Sequence, residues 1–128
     1  MSDLFFDTNV LIDYLRGYEP AIRFMSEKQG SNRLVCSVIT AFELYAGCRN
    51  GAERTAVDQV LESFTLIPIE ATDSFIALDW FREWRLSHGV RALDCLIGAT
   101  ARRVNLPFFT RDVAHFSLFV GLAVNQPY

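Results

Sequence analysis

The sequence predicts an α/β fold in which helices cover a parallel sheet. Three observations carry that expectation. Short apolar runs, such as residues 4–6 (LFF) and 107–109 (PFF), alternate with longer stretches of helical periodicity, which is the pattern of strands joined by crossover helices. The length of 128 residues suits one domain, taken here as 1–128. Hydrophobic residues make up 51% of the chain, with 11 Phe among them, enough for a continuous core.

The elements follow in order. Residues 4–6 read as a buried strand, which stops at three hydrogen-bonding residues, Asp7, Thr8 and Asn9. One of these is enough to cap the helix that follows to about Gly17. With Thr8 or Asn9 as the cap, the Asp7 carboxylate is left free for other work. A second helix runs from about Glu19 to Gln29, with Gly30 as its stop. Residues 34–36 form the second strand, and Ser37 or Thr40 caps a helix to about Gly47. An amphipathic helix over 53–64 precedes a third strand at 66–69. Thr72 and Asp73 open a long helix ended by Gly89, the next spans about 92–103, and strands follow at 107–109 and 122–124. No internal repeat or low-complexity segment interrupts the pattern.

Charge and cysteine content narrow the function. A net charge of −3 argues against a protein that holds nucleic acid by bulk positive charge. The distribution says more: from 82 to 111, six arginines (Arg82, Arg85, Arg91, Arg102, Arg103, Arg111) face only Glu83 and Asp94, a local balance of +4. Such a stretch reads either as a solvated helix face or as a surface for phosphates or an acidic peptide. Cys36, Cys48 and Cys95 have neither disulfide nor zinc spacing. With no leader-like start and no run of ~18 apolar residues, the expectation is a cytoplasmic protein with no membrane association. A mean hydropathy of +0.18 suggests that a second copy or a partner covers some apolar surface.

The informative acids are those placed where an acid is costly. On a helix, Glu43 has Ile39, Thr40, Ala46 and Gly47 as neighbours, and Asp94 has Val90, Arg91, Ile97 and Gly98. Both stand on faces dominated by apolar or small residues, where an ionised carboxylate needs a cation, a donor or a raised pKa. Asp13 and Asp58 have polar neighbours and read as surface residues. Asp7 and Asp112 each follow an apolar strand, at the sheet end where α/β folds bind ligands. Taken singly, Asp7 reads as a cap, Glu43 and Asp94 as ion-pair partners of arginine, and Asp112 as a turn residue. Together at one crevice they share one cause. Carboxylates gathered with hydroxyls and an amide, without His or Cys ligands, suit a hard cation such as Mg²⁺ or Mn²⁺ acting on phosphates.

The same residues resemble a known family. FDTNVLIDYL near the start, S-x-I-T-x-x-E-L-x-x-G from Ser37 to Gly47, DCLIGATA from Asp94 to Ala101, TRDVAHF from Thr110 to Phe116, then GLAV and Pro127 are similar, in that order, to the PIN-domain ribonucleases. The resemblance is greatest to VapC-like toxins of type II toxin–antitoxin pairs. It implies a three-layer α/β/α sandwich with parallel strand order 3-2-1-4-5, which sets Asp7 beside Asp112. It assigns Asp7, Glu43, Asp94 and Asp112 to the catalytic, metal-binding acidic set, and Thr8, Asn9 and Thr110 to supporting polar roles. It implies a Mg²⁺-dependent endoribonuclease, with Mn²⁺ as a substitute, acting on RNA through metal-activated water. It further implies a homodimer, a VapB-like antitoxin partner, and heterotetramers or larger assemblies with it. Arg82, Arg85, Arg91 and Arg111 are candidate contacts to RNA or antitoxin. His115, beside Phe116, reads as structural.

Other functions fit less well. A response-regulator-like phosphoacceptor needs a Lys after a late strand, and the single Lys is Lys28. A haloacid-dehalogenase-type phosphatase needs a second Asp where Asn9 stands. A catalytically inactive binding module on the same fold is the closer rival, and the presence of all four acids counts against it.

Overall fold

Leu4 and Phe6 point to one side of the first strand and Phe5 to the other, and all three are buried, so both faces of the sheet must be covered. In the computed structural model, which describes residues 2–128, they are. The chain runs β1 (Asp3–Phe6), α1 (Thr8–Leu15), α2 (Glu19–Ser31), β2 (Arg33–Ser37), α3 (Val38–Ala46), α4 (Gly51–Leu61), β3 (Phe64–Ile67), α5 (Ala71–His88), α6 (Ala92–Val104), β4 (Phe108–Phe109), α7 (Val113–Phe116) and β5 (Val124–Asn125). The five strands pair in parallel in the order β3-β2-β1-β4-β5. The expected order is therefore the observed one.

Strand alternation divides the core in two. Leu4, Phe6, Leu34 and Cys36 pack with Val10, Leu11, Phe24, Leu44 and Val57 from α1 to α4. Phe5, Val35 and Phe108 pack on the opposite face with Ala77, Ile97, Phe116 and Phe119. Three layers result. The second core is tight where Trp80 stacks on Phe119 with ring centroids 4.5 Å apart. A Cβ on Gly98 would lie 2.8 Å from that Phe119 ring, which is why α6 carries a glycine there. Gly89, with φ +67°, closes α5 in the left-handed region, as a helix stop of this kind requires.

Several boundaries differ from the sequence expectations. Gly30 lies inside α2, which continues to Ser31. Helix α4 stops at Leu61 and Phe64 opens β3 instead of closing the helix; its ring reaches the core beside Phe6. Strand pairing sets β5 at Val124–Asn125, where it meets Phe108 and Phe109. The short α7, which no strong periodicity announces, is capped by Asp112. Cys36, Cys48 and Cys95 are all free thiols. No described helix is long and apolar enough to cross a membrane.

Candidate functional site

β1 lies between β2 and β4, and the crossover direction reverses there, so the strand ends open a crevice. Asp7 follows β1 and Thr110 follows β4. Asp7 N–H donates to Phe109 O at 2.9 Å, fixing the backbone of one strand end against the other. A cleft of about 410 Å³ opens above this point, lined by Asp7, Thr8, Asn9, Ile12, Glu43, Gly89, Arg91, Asp94, Asp112 and His115. All four predicted acids face it, contributed by the β1 end, α3, α6 and the start of α7.

Each acid is held differently. Asp7 is 3% exposed; its Oδ1 accepts from Thr8 N–H at 2.8 Å and its Oδ2 from the Thr110 hydroxyl at 2.7 Å. Asp7 is therefore the N-cap of α1 as well as a cleft carboxylate. This corrects the expectation that Thr8 or Asn9 caps the helix and frees Asp7: one oxygen serves the cap while the other faces Thr110. The Thr110 hydroxyl also accepts from Asn9 Nδ2 at 3.3 Å and from Asp112 N–H at 2.9 Å, so it ties α1 to the β4 end. Thr8 donates to Glu43 Oε1 at 2.7 Å and meets the Thr40 hydroxyl at 2.8 Å.

Arg91 enters this set as a cation. Its Nη2 lies 2.5 Å from Glu43 Oε2 and 3.6 Å from Asp94 Oδ1. Asp112 Oδ1 accepts from His115 N–H at 3.3 Å and its Oδ2 lies 2.9 Å from His115 Nδ1, while His115 Nε2 donates to His88 O at 2.9 Å. Both ring nitrogens of His115 face acceptors, so the ring braces Asp112 against the end of α5, in line with its structural reading.

The electrostatics show an excess of negative charge. Burial pushes the Asp7 carboxyl up to about 7; the Thr110 hydrogen bond opposes the shift and the Asp94 charge adds to it. Burial likewise raises Asp94 to about 6, with Arg91 opposing and Glu43 adding. Hydroxyl and backbone donors alone do not compensate a buried carboxylate beside others. A hard cation would, and the four carboxylates, with the Thr8 and Thr110 hydroxyls beside them, are oxygen donors of the kind that takes one. Among the described residues no three acidic, His or Cys side chains converge closely enough to cage an ion by themselves. An ion that keeps several waters and takes only one or two carboxylates directly suits this spacing.

The predicted arginines divide. Arg91 lines the cleft. Arg82 is exposed on α5. Arg85 donates to the carbonyls of Gly89 and Val90, holding the turn before α6. Arg111 pairs with Asp13 at 2.9 Å and lies over the Tyr18 and Tyr128 rings. That contact corrects the reading of Asp13 as a surface residue. Its side chain is 14% exposed and also accepts from the Tyr128 hydroxyl at 2.6 Å. Residues 98 and 115 positions away supply the donors, and neighbours along one helix gave no sign of them. Asp58 does meet solvent, bonded to the Tyr45 hydroxyl.

Asp73 is the buried acid that sequence reasoning overlooked. It is fully buried on α5 and takes Arg103 Nε on both oxygens at 3.0 and 3.1 Å. The available signal was an acid three positions after Glu70 at a helix start, the spacing of a reciprocal cap.

Comparison with known proteins agrees with this architecture. The PIN domain family model matches residues 4–118. Ribonuclease VapC10 of Mycobacterium tuberculosis is 37% identical over 117 residues, which cover 91% of this chain and 87% of that protein. A toxin-antitoxin complex from Klebsiella pneumoniae contains a chain 26% identical, with a TM-score of 0.79 over 98% of both chains. DNA-bound VapBC from Salmonella typhimurium, at 17% identity, has a TM-score of 0.83 over 100% of both chains and so shares the fold.

Proposed function

The chain belongs to the PIN-domain family, and from that premise we propose that it is a divalent-metal-dependent endoribonuclease, the toxin of a VapBC-type pair. The observation that carries the reading is the cleft where Asp7, Glu43, Asp94 and Asp112 face one another at the β1–β4 switch point. Similarity to a ribonuclease over most of the chain and to a toxin-antitoxin complex supports it.

In this reading Asp7 and Asp94 hold the ion, Glu43 and Asp112 complete its surroundings directly or through water, and Mg²⁺ is the resident ion with Mn²⁺ as a substitute. When bound, such an ion activates water and neutralises charge on the leaving oxygen of a phosphodiester. The chain's own residues do the rest. Thr110 and the Thr8 amide fix the two oxygens of Asp7, so its orientation is set before an ion arrives. Thr8 fixes one oxygen of Glu43. The His115 brace fixes Asp112. An RNA strand enters from the open side of the cleft, and a VapB-like antitoxin silences the protein by covering it.

Cleavage of a structured RNA with Mg²⁺, with Mn²⁺ and with EDTA tests the activity. Wild type should cut with either ion and stop in EDTA, while Asp7→Asn and Asp94→Asn should be inactive under all three conditions. Equal cutting by both variants would overturn the site assignment. Co-expression with the adjacent reading frame tests the partner: a small co-purifying protein that relieves a growth defect is expected.

A further inference from the structure

We infer that Arg91 is a tethered counter-ion for the acidic cleft, which a divalent cation must displace before the site is loaded. The inference rests on the metal-binding reading of the cleft and adds a control to it.

Arg91 precedes α6 as its N-cap residue, yet its side chain makes no capping bond. It reaches instead across the cleft to Glu43 on α3, with Nη2 at 2.5 Å from Oε2, and lies 3.6 Å from Asp94 Oδ1 on its own helix. One guanidinium thus bridges carboxylates from two helices. The other Glu43 oxygen already accepts from the Thr8 hydroxyl, so both oxygens of Glu43 carry a hydrogen bond before an ion arrives. A Mg²⁺-type ion binds carboxylate oxygens at about 2.0–2.1 Å, and Glu43 Oε2, which holds the guanidinium, cannot meet both that ion and the guanidinium along one direction. Two positive charges side by side also repel.

Displacement is easy in geometric terms. The Arg91 side chain is 58% exposed, so the guanidinium can swing toward solvent without leaving a cavity, while Glu43 and Asp94 are 17% and 15% exposed and stay with their helices. Because the two cations use overlapping oxygens, each weakens the other by the same factor. Arg91 therefore keeps the metal-free carboxylates from repelling one another and sets the ion concentration at which the site fills.

The test measures Mn²⁺ binding by calorimetry for wild type and Arg91→Gln. The variant should bind Mn²⁺ roughly tenfold more tightly, the size expected when one unit charge a few ångströms away is removed from a partly solvated site. In EDTA it should unfold at a lower temperature than wild type, and saturating Mn²⁺ should close that gap. Equal or weaker Mn²⁺ binding by the variant would overturn the inference and leave the metal-binding reading standing. No Mn²⁺ binding by either protein would overturn both. If Arg91→Gln does not fold, the Arg91 side-chain resonances of ¹⁵N-arginine-labelled wild type decide: they should shift on titration with Mg²⁺, and resonances that stay in place contradict the displacement.

Discussion

Two clusters of buried acid sit at opposite ends of helices α5 and α6, and they are satisfied in different ways. At one, Asp73 is fully buried and takes both oxygens to Arg103, with further bonds from Thr100 and the Glu70 amide. Arg103 itself also reaches Glu70 and the Pro68 carbonyl. At the other, Asp7 is nearly as buried but meets only a hydroxyl and an amide, and three more carboxylates share its cleft around a single guanidinium. The first cluster closes its charge within the fold and leaves nothing for a ligand. The second leaves its charge open, which marks a binding site more reliably than burial does.

The comparison can be broken most directly through Arg103. Arg103→Ala should cost about 3 kcal/mol of stability, because it strands a buried carboxylate, and leave RNA cleavage per folded molecule unchanged. Urea unfolding and a rate measurement check the two halves. Asp7→Asn should do the reverse: cleavage is lost, while stability in EDTA at pH 8 is kept or rises.

pH comes next in size. Asp7 and Asp94 have folded pKa values of about 7 and about 6, against 3.8 for the ordinary group. Between those values the folded protein holds protons that the unfolded chain has lost, so stability in EDTA should fall as pH rises from about 4 to 7. Burial is the main cause of both shifts, and at about 1.4 kcal/mol per pKa unit the loss should be on the order of a few kcal/mol. Thermal unfolding across that range checks it, with Asp7→Asn showing the shallower slope. Smallest of all, Arg82→Ala removes an exposed cation that touches neither cluster. It should alter stability by less than about 0.5 kcal/mol, measured by the same unfolding.

Much of this contrast was legible in the sequence, for reasons that also explain the misses. Leu4–Phe6 ending at Asp7, and Pro107–Phe109 ending at Thr110, announce strand ends with polar groups, and a parallel sheet brings such ends together. Glu43 and Asp94 stand out because their helical neighbours are apolar or small. Neighbours within a helix say nothing about partners from elsewhere, which is why Asp13 looked exposed when Arg111 and Tyr128 enclose it. Arg103 looked like one charge in a basic stretch, whereas its partner lies 30 residues earlier on another helix. Sequence position alone makes cap and ligand look like alternatives at Asp7, but a carboxylate has two oxygens: one caps α1 while the other takes the Thr110 hydroxyl. The four-residue α7 is too short to carry a period.

The central claim is that the cleft acids take up a cation that the Asp73 cluster does not need. Thermal unfolding with EDTA and with saturating Mn²⁺, for wild type, Asp7→Asn, Asp94→Asn and Arg103→Ala, measures that directly. The account predicts a clear Mn²⁺-dependent rise in wild type, an equal rise in Arg103→Ala from its lower starting point, and little or none in the two cleft variants. A rise of wild-type size in Asp7→Asn and Asp94→Asn, or no rise in wild type, would contradict it.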